Sequence, residues 1–363
     1  MVKAIGSEIL LVSSIKKNGC YTDVVNSLKD NAIDFVEVDG VQPNPEIEVV
    51  RTAIQAYRDN QCDAILAVGG GSVIDSAKAV AAGVCYDGDV WDLFEQQLPF
   101  STAAPLFVVL TLSGTGSEMN PNCVVSDSKA HKKYHIGGPP LFPIVSVVDP
   151  KYQSESLSWW QTVNGAIDAF IHLWEAYAMY IPSGKPITSI RYVEGLMLAV
   201  LDCLEALHVD QKDAGARADL CWATTLALNL STTVSLKGGD WAVHFLEHAV
   251  GAVNPEVSHG AGLAVILPSY WKFLVEHRAE QLPMLLRLAK NVFGVETVEE
   301  MVEKWLALLT KYGHPTVLSD RLFDSVSDDL LEAIADAYHK REGFYGGFNI
   351  TRDECLEILK DCK

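Results

Sequence analysis

At 363 residues the chain exceeds what one ordinary core organises, and two domains are the natural division. A composition of 49% hydrophobic and 21% charged residues is globular, with a large buried core and no room for long disorder. A formal charge of −19 excludes nucleic acid and anionic membrane surfaces as partners, because both would repel it, and leaves soluble small molecules.

From residue 9 to about 150, short apolar runs alternate with amphipathic stretches. Strands are expected at 9–12, 35–38, 64–68, 106–110 and 144–148, with helices at 21–31 and 45–60 between the first three. Strands separated by helices of this length build a parallel sheet, so residues 1–152 read as an α/β domain. After Asp149-Pro150 the pattern changes to long Ala- and Leu-rich helical stretches, such as 190–207, 214–230 and 279–293. Residues 153–363 therefore read as an all-helical domain. The eight cysteines show no two-residue spacing, and no apolar run reaches membrane-spanning length. The start has no apolar core behind basic residues, so reduced thiols in a cytoplasmic protein are expected.

The third strand runs into Gly69-Gly70-Gly71-Ser72, followed by a helical stretch through Asp75 and Lys78. Glycines let a backbone approach an anion, and free amides at a helix start point at it, so Gly70, Gly71 and Ser72 form a candidate phosphate site. A tight turn without ligand is the alternative. After the fourth strand, the loop Thr111 to Glu118 offers Thr111, Thr115 and Ser117, whose hydroxyls suit the ribose and pyrophosphate of a nucleotide.

In the helical half, Asp168 and His172 lie four apart and share a helix face, so both can reach one ion. His244 and His248 repeat the spacing, and His259 follows the turn signal Asn254-Pro255. Mixed histidine and carboxylate ligands suit zinc or iron with an open position. Histidine pairs also cap helices, so spacing alone leaves both readings open.

Together these segments resemble the iron-containing, or type III, alcohol dehydrogenases, in their butanol dehydrogenase and aldehyde reductase branch. The resemblance rests on Gly69 to Lys78, Thr111 to Glu118, Asn164 to Glu175, Asp240 to His248, Ser258 to Gly262, and Val41-Gln-Pro-Asn-Pro45. It implies that Asp168, His172, His244 and His259 bind Fe2+ or Zn2+, and that Gly70, Gly71, Ser72, Thr111, Thr115, Ser117 and Asn44 bind NAD or NADP. It implies further that Asp75 and His248 stand near the reacting centre, His248 relaying a proton, in a homodimer acting on small alcohols or aldehydes. The implied fold is a parallel-sheet nucleotide-binding α/β domain over 1–152 followed by an all-helical metal-binding domain over 153–363, a dehydroquinate synthase-like architecture.

The chain departs from the family at its start, which lacks a leading hairpin, and after the first strand, where Val12 and Ser13 replace glycines. Ser13 and Ser14, with Lys16 and Lys17, could accept a 2'-phosphate, which favours NADP. Two other readings follow. One is a non-redox lyase of the dehydroquinate synthase type, against which Trp241, Phe245 and Leu246 favour an apolar substrate end. The other is a non-catalytic nucleotide- or metal-binding protein with an altered start.

Overall fold

Alternate residues of the first strand face opposite ways, and each set finds its own core. The computed structural model describes residues 6–14, 18–180, 187–234, 239–339 and 348–363. A first unit comprises the described residues up to Ser158 together with Lys212–Cys221. It runs β1 (Glu8–Ser14), α1 (Gly19–Asp30), β2 (Asp34–Val41), α2 (Ile47–Asp59), β3 (Ala64–Gly69), α3 (Gly71–Gly83) and α4 (Val90–Glu95). There follow β4 (Leu106–Leu110), β5 (Asn122–Asp127), β6 (Lys132–Gly137), β7 (Val145–Val148) and α5 (Pro150–Ser156).

Five strands form a sheet in the order β2-β1-β3-β4-β7, every neighbouring pair parallel. Ile9 and Leu11 pack with Leu66, Val68 and Phe107 beneath Cys20 and Leu28 of α1. Leu10 and Val12 pack with Ile65, Ala67 and Val108 beneath Val50 and Ile54 of α2 and Ile74 and Ala77 of α3. α1 is started by Asn18, whose side chain accepts from the Tyr21 amide at 3.2 Å. Near its end β2 carries an extra residue: Val12 pairs with Val38 but Ser14 with Val41, so Asp39 and Gly40 together face Ser13. Gly40 takes φ +91° there, which a side chain would resist.

The antiparallel hairpin of β5 and β6, absent from the expected strands, lacks the continuous apolar runs of the sheet. A second difference concerns Lys212–Cys221, which the sequence assigns to the helical domain and which instead packs in the first unit. The physical reason lies at Cys221: its buried thiol is hydrogen-bonded to Ser113, which also accepts from Gln153 Nε2 at 2.8 Å.

The second unit consists of the described residues in 159–211 and 222–363, and these hold no strand. Its helices are α6 (Trp159–Ala178), α7 (Ile187–Val209), the end of α8 (Ala214–Ala227), α9 (Ala242–Val253), α10 (His259–His277), α11 (Leu282–Leu288), α12 (Val298–Lys311), α13 (Asp328–His339) and α14 (Arg352–Asp361). From Thr162 onward α6 is buried almost all round, which marks it as the central helix. Trp174, Trp271 and Trp305 fill the core edge-to-face, with ring centroids 5.7 and 5.8 Å apart. The single helix expected over 279–293 is broken, because Pro283 lacks the amide that would continue it and falls at the start of α11. Among the described residues no helix is long and apolar enough to cross a membrane.

Candidate metal centre and nucleotide loops

Three helices of the second unit bring the four candidate ligands together. Asp168 and His172 lie one turn apart on α6, His244 sits in the first turn of α9, and His259 opens α10. The approach of α10 to α6 depends on Gly260, where a Cβ would lie 2.3 Å from the backbone oxygen of Asn164. Asn164 is one turn before Asp168, so this close packing carries His259 to the carboxylate. Asp168 Oδ1 then has His244 Nε2 at 3.3 Å and His172 Nε2 and His259 Nε2 each at 3.6 Å. Side chains of Asp168, His172 and His244 are 5 to 7% exposed, whereas that of His259 is 26% exposed, which puts the open side of the centre at His259.

Two further carboxylates stand behind the histidines. Glu175 Oε2 accepts from His244 Nδ1 at 2.6 Å and its Oε1 from the His244 amide at 3.1 Å, while Glu247 Oε2 accepts from His259 Nδ1. Both glutamates are fully buried. With the Nδ1 protons so engaged, Nε2 of His244 and Nε2 of His259 are the nitrogens left to ligate a cation beside Asp168. A buried cluster of acceptors facing one another is stabilised by a cation, and this donor set fits zinc or iron. Charge coupling runs the same way. Burial would raise the Asp168 carboxyl, yet His172, His244 and His259 outweigh it and hold it below the usual carboxylate range. Burial pushes His172 down to about 3. It would also lower His244, but Glu175 and Asp168 prevail and push it up to about 10. A proton is therefore drawn to His244 when no metal is bound, and a metal ion would displace it.

The approach to α9 is held by Trp241, a non-glycine residue at φ +61° whose ring stands edge-on to His172 and His244 at 6.2 and 5.7 Å. His248, partly exposed, lies with its ring 5.7 Å from that of His259, and its ligating atom is within 4.8 Å of those of Glu247 and His259.

In the first unit the two polar loops meet. A Cβ on Gly71 would lie 2.7 Å from Thr115 Oγ1, so a side chain at 71 would push them apart. α3 starts at Gly71 with no acidic residue in its first turn, leaving its early amides suited to an anion. Thr111 bonds through its amide to Gly69 O at 2.9 Å, tying the ends of β3 and β4. Ser117 is engaged: its hydroxyl donates to Asp75 Oδ1 at 2.6 Å and accepts from Lys78 Nζ at 2.8 Å. The other Asp75 oxygen accepts from the Val124 amide at 2.9 Å. Lys78, fully buried, also donates to the backbone oxygens of Asn120 and Asn122, each at 2.8 Å, and burial brings its ammonium down to about 8. Ser13 is buried and donates to Glu37 Oε1 at 2.8 Å, and Glu37 Oε2 accepts from the Tyr21 hydroxyl at 2.8 Å. Asn44 is buried with φ +56°, and Ser14 is half-buried at the end of β1. Lys16 and Lys17 lie outside the described residues.

Residues 1–150 match the family Iron-containing alcohol dehydrogenase, and residues 162–362 match Fe-containing alcohol dehydrogenase family, C-terminal. The chain belongs to the iron-containing alcohol dehydrogenase family. This alcohol dehydrogenase is 34% identical to a probable NADH-dependent butanol dehydrogenase of Bacillus subtilis, over 99% of the chain and 93% of the relative. It is 31% identical to an NADPH-dependent aldehyde reductase of Escherichia coli K12, over 86% of the chain and 81% of the relative. Among solved structures it resembles NADH-dependent butanol dehydrogenase A of Thermotoga maritima, with TM-score 0.91 and 37% identity, covering 99% of the chain and 92% of that structure. The protein is thus a metal-dependent oxidoreductase that moves hydride between NAD(P) and an alcohol or aldehyde, and the lyase reading is not favoured.

The motifs give no role to Glu175, Glu247 or Lys78, yet all three are buried and bonded to candidate site residues: His244, His259 and Ser117. A glutamate three residues after a histidine reads as a solvent-facing charge until its burial is known. The usable signal is helical spacing: Glu175 falls seven after Asp168 and three after His172, and Glu247 three after His244, each acid flanked by apolar residues.

Proposed function

We propose that the enzyme reduces small apolar aldehydes with NADH, using a divalent iron or zinc ion held by Asp168, His172, His244 and His259. The observation that carries the reading is the convergence of three imidazole nitrogens on Asp168 Oδ1. A bound cation would supply Lewis-acid polarisation of a carbonyl, and reduced nicotinamide a hydride. The chain's own groups do the rest. The Trp241 ring shields His172 and His244, and Phe245, its ring 6.2 Å from that of His248, adds an apolar wall that favours an apolar substrate and excludes water. His248 delivers the proton that the product alcohol needs, a role supported by its ring lying 5.7 Å from that of His259.

Gly70, Gly71 and Ser72 hold the pyrophosphate, and Thr111 and Thr115 line the ribose and nicotinamide end. Ser117 and Asp75, whose polar atoms bond each other, shape that loop rather than touch the reactants. NADH is favoured over NADPH, against the expectation from Ser13, Ser14, Lys16 and Lys17, because Glu37 accepts from Ser13 and Asp39 lies in the bulge opposite Ser13 near the end of β2. Such groups accept ribose hydroxyls and repel a 2'-phosphate. A cytoplasmic location is supported by the cysteines, all free and, apart from Cys85, buried. A homodimer is supported by edge strand β7 and the residue before it, which leave Ile144 and Val147 52% and 49% exposed.

The test follows nicotinamide absorbance with butanal, using metal-stripped protein and protein reloaded with Fe2+ or Zn2+, NADH and NADPH in parallel, and His259→Ala as control. Metal-dependent NADH oxidation that the control abolishes is expected. Turnover unaffected by metal removal would refute the reading.

A further inference from the structure

We propose that Glu175 and Glu247 are positioning residues of the metal centre, fixing the tautomer and aim of His244 and His259 and adding the negative charge that retains a divalent cation. The inference rests on the metal reading above and deepens it. Its basis is geometric. Glu175 grips His244 at two points, the ring Nδ1 at 2.6 Å and the backbone amide at 3.1 Å, so it fixes both the imidazole and the start of α9 that carries it. Glu247 lies three residues after His244 on the same helix, yet reaches His259 at the head of α10. One helix thus contributes a ligand and also the acid that orients another helix's ligand. Space for that acid comes from Gly262, where a Cβ would lie 2.9 Å from Glu247 Cγ.

The third histidine is treated differently. His172 Nδ1 is buried and has no hydrogen-bond partner among the described residues. Its aim is set by packing alone: its ring is stacked on that of His244 with centroids 4.4 Å apart and meets Trp241 edge-on. The two histidines contributed by α9 and α10 therefore need an acid to hold them, whereas the one on α6 is held by the central helix. With Asp168, the two glutamates bring three carboxylates to a buried centre, more than the charge of one divalent ion. Charge count as well as ligand geometry then favours retention of the ion.

The test measures zinc and cobalt affinity by chelator competition for the full-length wild type, Glu175→Gln, Glu247→Gln and, as a buried-carboxylate control away from the centre, Glu194→Gln. The first two variants should bind each metal about 10- to 100-fold more weakly, and the control like wild type. In parallel, imidazole nitrogen NMR of metal-loaded wild type should show Nδ1 protons on His244 and His259, a readout that survives even if a variant fails to fold. Variants with wild-type affinity, or wild-type histidines protonated at Nε2, would overturn the inference while leaving the metal reading intact. A wild type that binds neither metal would refute both.

Discussion

Gly260→Ala tests the packing that builds the metal centre. The added Cβ would stand 2.3 Å from Asn164 O, 2.7 Å from its Cα and 2.8 Å from its carbonyl carbon, all backbone of the central helix. Ordinary contact begins near 3.4 Å, so the head of α10 must retreat by about 1 Å. His259 is the preceding residue and would move with it. Metal sites tolerate ligand displacements of about 0.2 Å, so a shift of this size should weaken zinc binding by about two orders of magnitude. Overpacking should also cost about 1–3 kcal/mol, which lowers the melting temperature of a unit of roughly 200 residues by about 2–12 °C. Chelator competition reads the first effect and thermal unfolding of metal-free protein the second. A variant with zinc affinity within threefold of wild type and an unchanged melting temperature would refute the account of how α10 is placed.

His314, stacked on Trp160 at 4.7 Å, is pushed down to about 4 by burial, against 6.5 when free. Because its folded pKa lies below its unfolded one, the stability it contributes is full above pH 6.5 and is lost as pH falls toward 4. Urea unfolding should show about 3 kcal/mol less pH dependence over that window in His314→Phe, and an unchanged profile would refute this. His248→Gln should lower kcat by about 100-fold or more with metal content unchanged; full turnover would exclude the relay. Lys78→Met strands buried acceptors on Ser117, Asn120 and Asn122, costing about 3 kcal/mol or more, and should raise the Kd for NADH. Titration of nucleotide fluorescence checks it, and an unaltered Kd in a folded variant would count against the loop's role.

The sheet strands are legible in sequence because a strand buried on both faces must be apolar along its length, as Ala64–Gly69 is. The hairpin is not, since β5 and β6 mix Asn122, Ser126, Lys132 and Lys133 with apolar residues, and its pairing is a tertiary fact. Asp168 and His172 are readable as a pair because helix geometry is local, whereas His244 arrives on a separate helix and the approach of His259 depends on Gly260 allowing two backbones to come close. Ser117 illustrates the limit. A hydroxyl in a glycine-rich loop looks available to a ligand, and only the positions of Asp75 and Lys78 show that protein groups already use it. Burial likewise separates Glu175 and Glu247 from the many acidic residues of the surface.

The placement of Lys212–Cys221 bears on how the protein is made. The first unit is interrupted by Trp159–Gln211 and completed only when its last ten residues emerge, about 60 residues after Ser158, a delay of several seconds at roughly 5–20 residues per second. During that interval Ser113 and Gln153 lack the segment that seats Cys221. Folding of the first unit cannot finish before Lys212–Cys221, and with it the intervening Trp159–Gln211 of the second, has been synthesised. A gene fragment ending at Ser158 would therefore yield an incomplete unit, and a self-standing first unit requires the ten-residue segment to be grafted back.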